Sequence, residues 1–201
     1  MLARNAGGEL ELEISIPLPG PLLSLVAVRR PGHDDSVLAT AGPFASTRLL
    51  EYTGRDLQLV RDQPVTNNLR LYLAADIDAD ASLDLLGDCA ANFSFGVPLI
   101  LDYATASVQW QGPEQTAGVT AVQLDADPQL EVISRGQVGR IYDGATGMQE
   151  WAWPSGFGES VVGGRFETDP LVPGFVTQSF SGTTVFRASP YSPLREFLGL
   201  T

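Results

Sequence analysis

Short runs of four to eight apolar or alternating residues dominate this chain, and helical periodicity is nearly absent. Short runs rich in Val, Ile, Leu, Tyr and Phe are punctuated by Gly, Pro, Asp and Asn, which predicts strands joined by turns. The stretch ELELEISI alternates over residues 9–16. The stretch TRLLEYTGRDLQLV, residues 47–60, reads as a hairpin with Thr53, Gly54, Arg55 and Asp56 at its turn. Each element is too short for a helix and of the right length for a strand.

The pattern also repeats. The stretches ADIDADASLDLLG and VQLDADPQLEVIS align without a gap, so that Asp78 matches Asp125, Asp80 matches Asp127, and Asp84 matches Glu131. A matching second half follows each: Asp102, Thr105 and Trp110 in one correspond to Asp143, Thr146 and Trp151 in the other. Weaker copies begin at Ser160, with Glu167 and Asp169 at the acidic positions, and at Leu22, which has lost the acids at those positions. The repeat is about 42 to 48 residues long. Each copy reads as four strands, as at 71–77, 83–88, 97–103 and 107–111. Four short strands per repeat of this length predict an all-β chain, a β-propeller or a partial propeller arc of about four four-stranded blades. The expected blades are about 21–68, 69–116, 117–158 and 159–201 of one domain, preceded by a half blade at 1–20. On this reading the chain starts in mid-blade and forms an open arc, whose bare end faces favour self-association.

Composition narrows the partners. The net charge is −12, and all twelve basic residues are arginines. Nucleic acid is a poor partner for such a chain, because neutralising phosphates needs a basic patch. Divalent cations suit the balance better. The single cysteine, Cys89, excludes an intramolecular disulfide, and the single histidine, His33, removes most Cys–His chemistry and His-rich metal sites. Cys89 follows a predicted strand and reads as a small buried hydrophobe. His33 lies in RRPGHDD, which reads as a solvated loop, not a catalytic His–Asp pair. GFGESVVGG, residues 156–164, lacks a phosphate-loop spacing and reads as a connection between blades. No apolar run is long enough for a membrane-spanning helix, and the first residues carry no signal-peptide pattern.

The acidic stretch Asp76, Asp78, Asp80, Asp84 is the most specific chemical signal. Alternate carboxylates over five residues, closed by a fourth four residues later, can curl around one hard cation. Ca²⁺ takes six to eight oxygens in irregular geometry and is preferred over Mg²⁺, which demands a tight octahedron. The second loop offers Gln123, Asp125, Asp127 and Glu131, three carboxylates and an amide, and should bind more weakly. An ion-free acidic turn is the alternative for both loops. The third copy has Pro173 at the closing position, and no ion is expected there. Trp110 and Trp151 occupy equivalent repeat positions and read as packing between blades, with sugar stacking as the alternative. Trp153 lies outside that motif and is the better candidate for an exposed aromatic.

The acidic loop resembles the FG-GAP or VCBS repeat, the blade of integrin α-subunit propellers and many bacterial surface proteins. That loop runs D-x-D-x-D-G-x-x-D, so here Ala81 and Pro128 stand where a glycine is usual. YDGATGMQEW is also similar to the D-x-x-T-G-x-x-x-W blade motif of quinoprotein-like propellers. The resemblance implies a non-catalytic, calcium-stabilised interaction module outside the cytosol or in the cell envelope, binding a protein or carbohydrate through blade loops. Part of a propeller enzyme, such as a polysaccharide lyase or quinoprotein dehydrogenase, is one alternative. A purely structural segment of a larger propeller is another.

Overall fold

A computed structural model describes residues 2–4, 10–12, 15–30, 32–43, 45–54, 56–66, 68–90, 95–165, 173–188 and 190–198. Among these, every regular element is a strand, and the chain divides into two compact units, Met1–Asn68 and Leu69–Thr201.

The first unit holds a two-stranded ribbon, β1 (Leu2–Arg4) and β2 (Leu10–Leu12), and a four-stranded sheet. That sheet is an antiparallel meander of β3 (Leu22–Val28), β4 (Ser36–Ala41), β5 (Arg48–Thr53) and β6 (Gln58–Pro64). Ala39, Ala41, Leu50 and Tyr52 share one buried cluster, covered by Ile16, Leu18 and Leu57. The predicted hairpin is the β5–β6 pair, with its turn directly after Thr53. Glu51, buried in the middle of β5, is met by the Arg30 guanidinium at 3.2 Å. His33 is exposed, and its backbone N–H donates to Arg30 in a turn, as expected of a solvated loop.

The second unit holds three more meanders of four strands. One runs β7 (Leu69–Ala75), β8 (Asp84–Ala90), β9 (Gly96–Asp102) and β10 (Val108–Gln111). The next runs β11 (Gly118–Val122), β12 (Glu131–Arg135), β13 (Gly139–Asp143) and β14 (Gln149–Trp153). The last runs β15 (Ser160–Gly164), β16 (Gly174–Ser179), β17 (Gly182–Arg187) and β18 (Ser192–Leu198). All four meanders are blade-like, and each has a register shift between its third and fourth strands, at Glu51/Tyr52, Val108/Trp110, Ile141/Tyr142 and Val185/Phe186. An extra residue on one strand increases the local twist, and its recurrence marks the four sheets as copies of one unit.

Packing in the second unit is sheet upon sheet. Val132 and Ile133 are neighbours on β12, both fully buried, and strand alternation sends them to opposite faces. Val132 joins Leu86, Ile100 and Tyr142, between the second and third sheets. Ile133 joins Ile141, Phe175 and Phe186, between the third and fourth. A strand buried on both faces reads as an unbroken apolar run, which is why this segment lacks clean alternation. Trp110 lies 5.0 Å from the Tyr142 ring, and Trp151 is ringed by Trp153, Phe157, Phe186 and Tyr191 at 5.5–5.8 Å. Both tryptophans are half-buried packing residues at the junctions between sheets. Trp153 packs there too, against Phe186 at 5.4 Å, so it is less exposed than the repeat position suggested.

Two further expectations are corrected. Cys89 lies within β8, paired across to Leu69 and Val97, and is half-buried. The glycine-rich stretch is a connection only as far as Glu159, because Ser160–Gly164 pairs with β16 as the opening strand of the last sheet. The acidic pair Glu167 and Asp169 lies outside the described residues.

Candidate metal centre

Both acidic loops join the first and second strands of a sheet, where the chain must reverse within a few residues. In the first, between β7 and β8, oxygens of Asp76, Asp78 and Asp84 all lie within 4.8 Å of one another. In the second, between β11 and β12, the same holds for Asp125, Asp127 and Glu131. The closing acids are the buried ones: Asp84 and Glu131 are each 1% exposed and sit at the first position of their strands.

The local geometry repeats. Asp84 Oδ2 accepts the backbone N–H of Ile77 at 3.0 Å, and Glu131 Oε2 accepts that of Leu124. Asp78 Oδ1 accepts the N–H of Asp80, and Asp125 Oδ1 that of Asp127, each bond spanning two residues as Asp side chains do in turns. Ile77 and Leu124 have no exposed surface at all, and each is buried in the cluster that its sheet shares with the next. The backbone carbonyl of Ile77 also accepts the N–H of Leu130, at the end of the second loop. Each loop therefore drives an apolar plug into the junction and holds it there through the closing carboxylate.

The loops differ at one position, and the difference is coherent. Asp76 Oδ2 accepts the N–H of Ala81 at 3.1 Å. Proline has no N–H, so Pro128 cannot offer the equivalent bond. The residue in the place of Asp76 is Gln123, a donor, and its amide nitrogen reaches the carbonyls of Asp127 and Gln129. In the second loop an amide therefore occupies backbone oxygens that a cation would otherwise draw on. Asp80 and Gln123 stand in the loops as predicted. The Asp80 Oδ1 atom accepts the N–H of Ser82 at 2.7 Å, and the close-set oxygens belong to Asp76, Asp78 and Asp84. Asp76 Oδ1 is buried and has no hydrogen-bond partner, an arrangement that fits a cation-filled first loop.

The electrostatics agree. Burial pushes the Asp84 carboxyl above the usual carboxylate range, the Ile77 N–H opposes this, and the Asp78 charge adds to the rise. Glu131 is pushed up to about 7, first by burial and then by the charge of Asp125, against the N–H of Leu124. Like charges and low dielectric make the ionised form costly, and the positive charge of a cation held there would offset both.

The second halves of the repeats also match. Asp102 Oδ1 accepts from the N–H and hydroxyl of Thr105, and Asp143 Oδ1 does the same with Thr146. Gly147 follows with φ +67°, and a Cβ there would come 2.1 Å from the Trp110 ring. The glycine of the second motif is thus the seat of the tryptophan of the first. The sequence pattern shows the aspartates and tryptophans. It does not single out Ile77, Leu124 or the Arg70–Asp88 pair, in which a fully buried carboxylate accepts from Arg70 Nε and Nη2 at 2.7 and 2.9 Å and from the Tyr72 hydroxyl at 2.8 Å. The apolar spacing alone could have flagged the plugs, since each is a lone aliphatic residue inside an acidic loop.

No protein-family model matches the chain, and no curated protein matches it either.

Proposed function

We propose that the chain is a non-catalytic recognition module of the FG-GAP type, its sheets acting as propeller blades held by Ca²⁺. The observation that carries this is the pair of acidic clusters, each with three carboxylates whose oxygens lie within 4.8 Å. Ligands of one Ca²⁺ sit about 2.3–2.6 Å from the ion, so opposite oxygens are about 4.6–5.2 Å apart. Asp76, Asp78 and Asp84 would hold the ion in the first loop, with Asp80 and backbone carbonyls completing its shell. Asp125, Asp127, Glu131 and Gln123 would form the weaker second site, since the Gln123 amide must turn from the carbonyls it now holds.

Other acids are engaged in structure: Glu51 with Arg30, Asp88 with Arg70, Asp102 and Asp143 with their threonines. This supports a binding role over a catalytic one. The partner is a protein or carbohydrate met by the connections between strands, which a rigid scaffold positions. Self-association through blade edges is part of the same proposal. Extracellular Ca²⁺ modules bind the ion at roughly 10⁻⁴–10⁻³ M, and a site of that strength would fit a location outside the cytosol or in the envelope. Among the described residues no helix is long and apolar enough to cross a membrane.

Calorimetry tests the reading. Ca²⁺ should raise Tm over a chelator control, with about 2.7 kcal/mol of stabilisation at a hundredfold excess over Kd. Asp78→Ala should abolish the rise. An unchanged Tm in millimolar Ca²⁺ would falsify the proposal.

A further inference from the structure

The junction between the third and fourth sheets opens into a cleft of about 160 Å³. Its walls follow from the register. On the fourth sheet, Phe175 and Phe186 stand opposite each other and pack into the core. Two residues along, on the same face, the next row is Thr177, Thr184 and Glu196 across β16, β17 and β18. The opposite wall is Trp153, at the end of β14, followed by Ser155 in the turn. The surface therefore changes from aromatic core to hydroxyls and a carboxylate within one step of the pleat.

The preceding junction shows what is unusual here. Aligning Trp110 with Trp151 places Gly112 at the position of Trp153 and Glu114 at that of Ser155. In the third sheet, Arg140 stands opposite Ser134 as Thr184 stands opposite Thr177. Glu114 and Arg140 form an ion pair at 2.6 Å, with Arg140 largely buried. One junction is thus bridged by opposite charges. The other replaces both charges by hydroxyl groups and the glycine by an indole. Among the described residues, the hydroxyls of Thr177 and Thr184 have no hydrogen-bond partner, although Thr177 is only 6% exposed.

We propose that this cleft binds one neutral sugar ring. The Trp153 indole offers an apolar face with a donor nitrogen at its edge. The threonine and serine hydroxyls each donate and accept, which matches sugar hydroxyls that do both. Glu196 accepts only, and takes the hydroxyl protons that remain. Among the described residues no cation lines the cleft, so uronic acids, sialic acids and phosphorylated sugars meet Glu196 without a counter-charge. The volume is several times the roughly 30 Å³ share of one water, room for a single ring and not for an oligosaccharide stretch. The proposal rests on the recognition-module reading and names its ligand class.

Saturation-transfer NMR on the full chain in Ca²⁺, with methyl glycosides of glucose, galactose, mannose and N-acetylglucosamine, tests it. Ring protons of at least one neutral glycoside should receive saturation, and methyl glucuronide should not. Ser155→Glu combined with Thr184→Arg rebuilds the ion pair of the preceding junction and should weaken binding at least tenfold. Trp153→Ala should do the same. Circular dichroism and the Ca²⁺-induced rise in Tm report separately on folding and on the module reading, and both should persist in the double variant. Absence of transfer from every neutral glycoside overturns the sugar site, as does transfer that survives in both variants or is equal for the glucuronide. A lost Ca²⁺ response with sugar binding intact would instead remove the metal reading alone.

Discussion

Ala81 adopts φ +72° in the first acidic loop, a region where an L side chain is strained. It stands where the loop motif that this segment resembles has glycine. Relieving about 1–2 kcal/mol of strain against about 0.5–1 kcal/mol of added chain entropy, Ala81→Gly should raise stability by a net of about 0.5–1 kcal/mol. Chemical denaturation with and without Ca²⁺ measures it. Gly147→Ala should act in the other direction and lose about 2 kcal/mol or more, because both its φ and the Trp110 ring exclude a Cβ. Tyr72 gives a pH signature. Burial, then the charge of Asp88, push its phenol up to about 12 from an ordinary value near 10. A raised phenol pKa leaves stability intact below pH 10 and removes it as pH rises through 12. Urea midpoints across that window should fall in the wild type and fall less in Tyr72→Phe; parallel curves would show that Tyr72 is not responsible. Asp88 and Tyr72 were invisible in the linear pattern because their meeting depends on cross-strand register, which alternation constrains only as a whole.

Strands were the most legible elements. The predicted runs at 83–88 and 97–103 became Asp84–Ala90 and Gly96–Asp102, because alternation and turn residues bound them on both sides. The equivalence of Trp110 and Trp151 was also legible, and with it their place at sheet junctions. Trp153 was misjudged because a residue outside a repeat motif can still fill a neighbour's gap, here beside Phe186. Ile77 and Leu124 carry no periodic signal, and their one mark in the sequence is an aliphatic side chain set among acids, which does not by itself say that it is buried. They supply an element-scale prediction. Ile77→Ala and Leu124→Ala should each cost about 3 kcal/mol, comparable to truncating Trp110, since each empties a fully buried site. Equilibrium unfolding checks this. A loss below about 1 kcal/mol would mean that the plugs do not hold the junctions.

At the scale of the molecule, both acidic clusters fall in the unit Leu69–Thr201. Hydrogen exchange followed by mass spectrometry should show Ca²⁺-induced protection concentrated in peptides spanning residues 76–84 and 123–131. With a net charge of −12, any salt also relieves self-repulsion, so Na⁺ at matched ionic strength is the necessary control. Protection that is uniform along the chain, or equal in Na⁺, would point to general screening and against bound ions.

The meander topology has a consequence for how such a chain is made. Every strand ladder in the four larger sheets joins strands that are neighbours in sequence. Each sheet can therefore close as soon as its own last strand leaves the ribosome, with no partner still to be synthesised. Closing short loops costs little entropy, so this β protein should fold faster than sandwiches, whose pairings span the whole chain. Burial of the faces then waits for the next sheet to arrive. Nascent intermediates should carry complete hydrogen bonding and a bare apolar side, the kind of surface a holdase chaperone covers until the following repeat emerges.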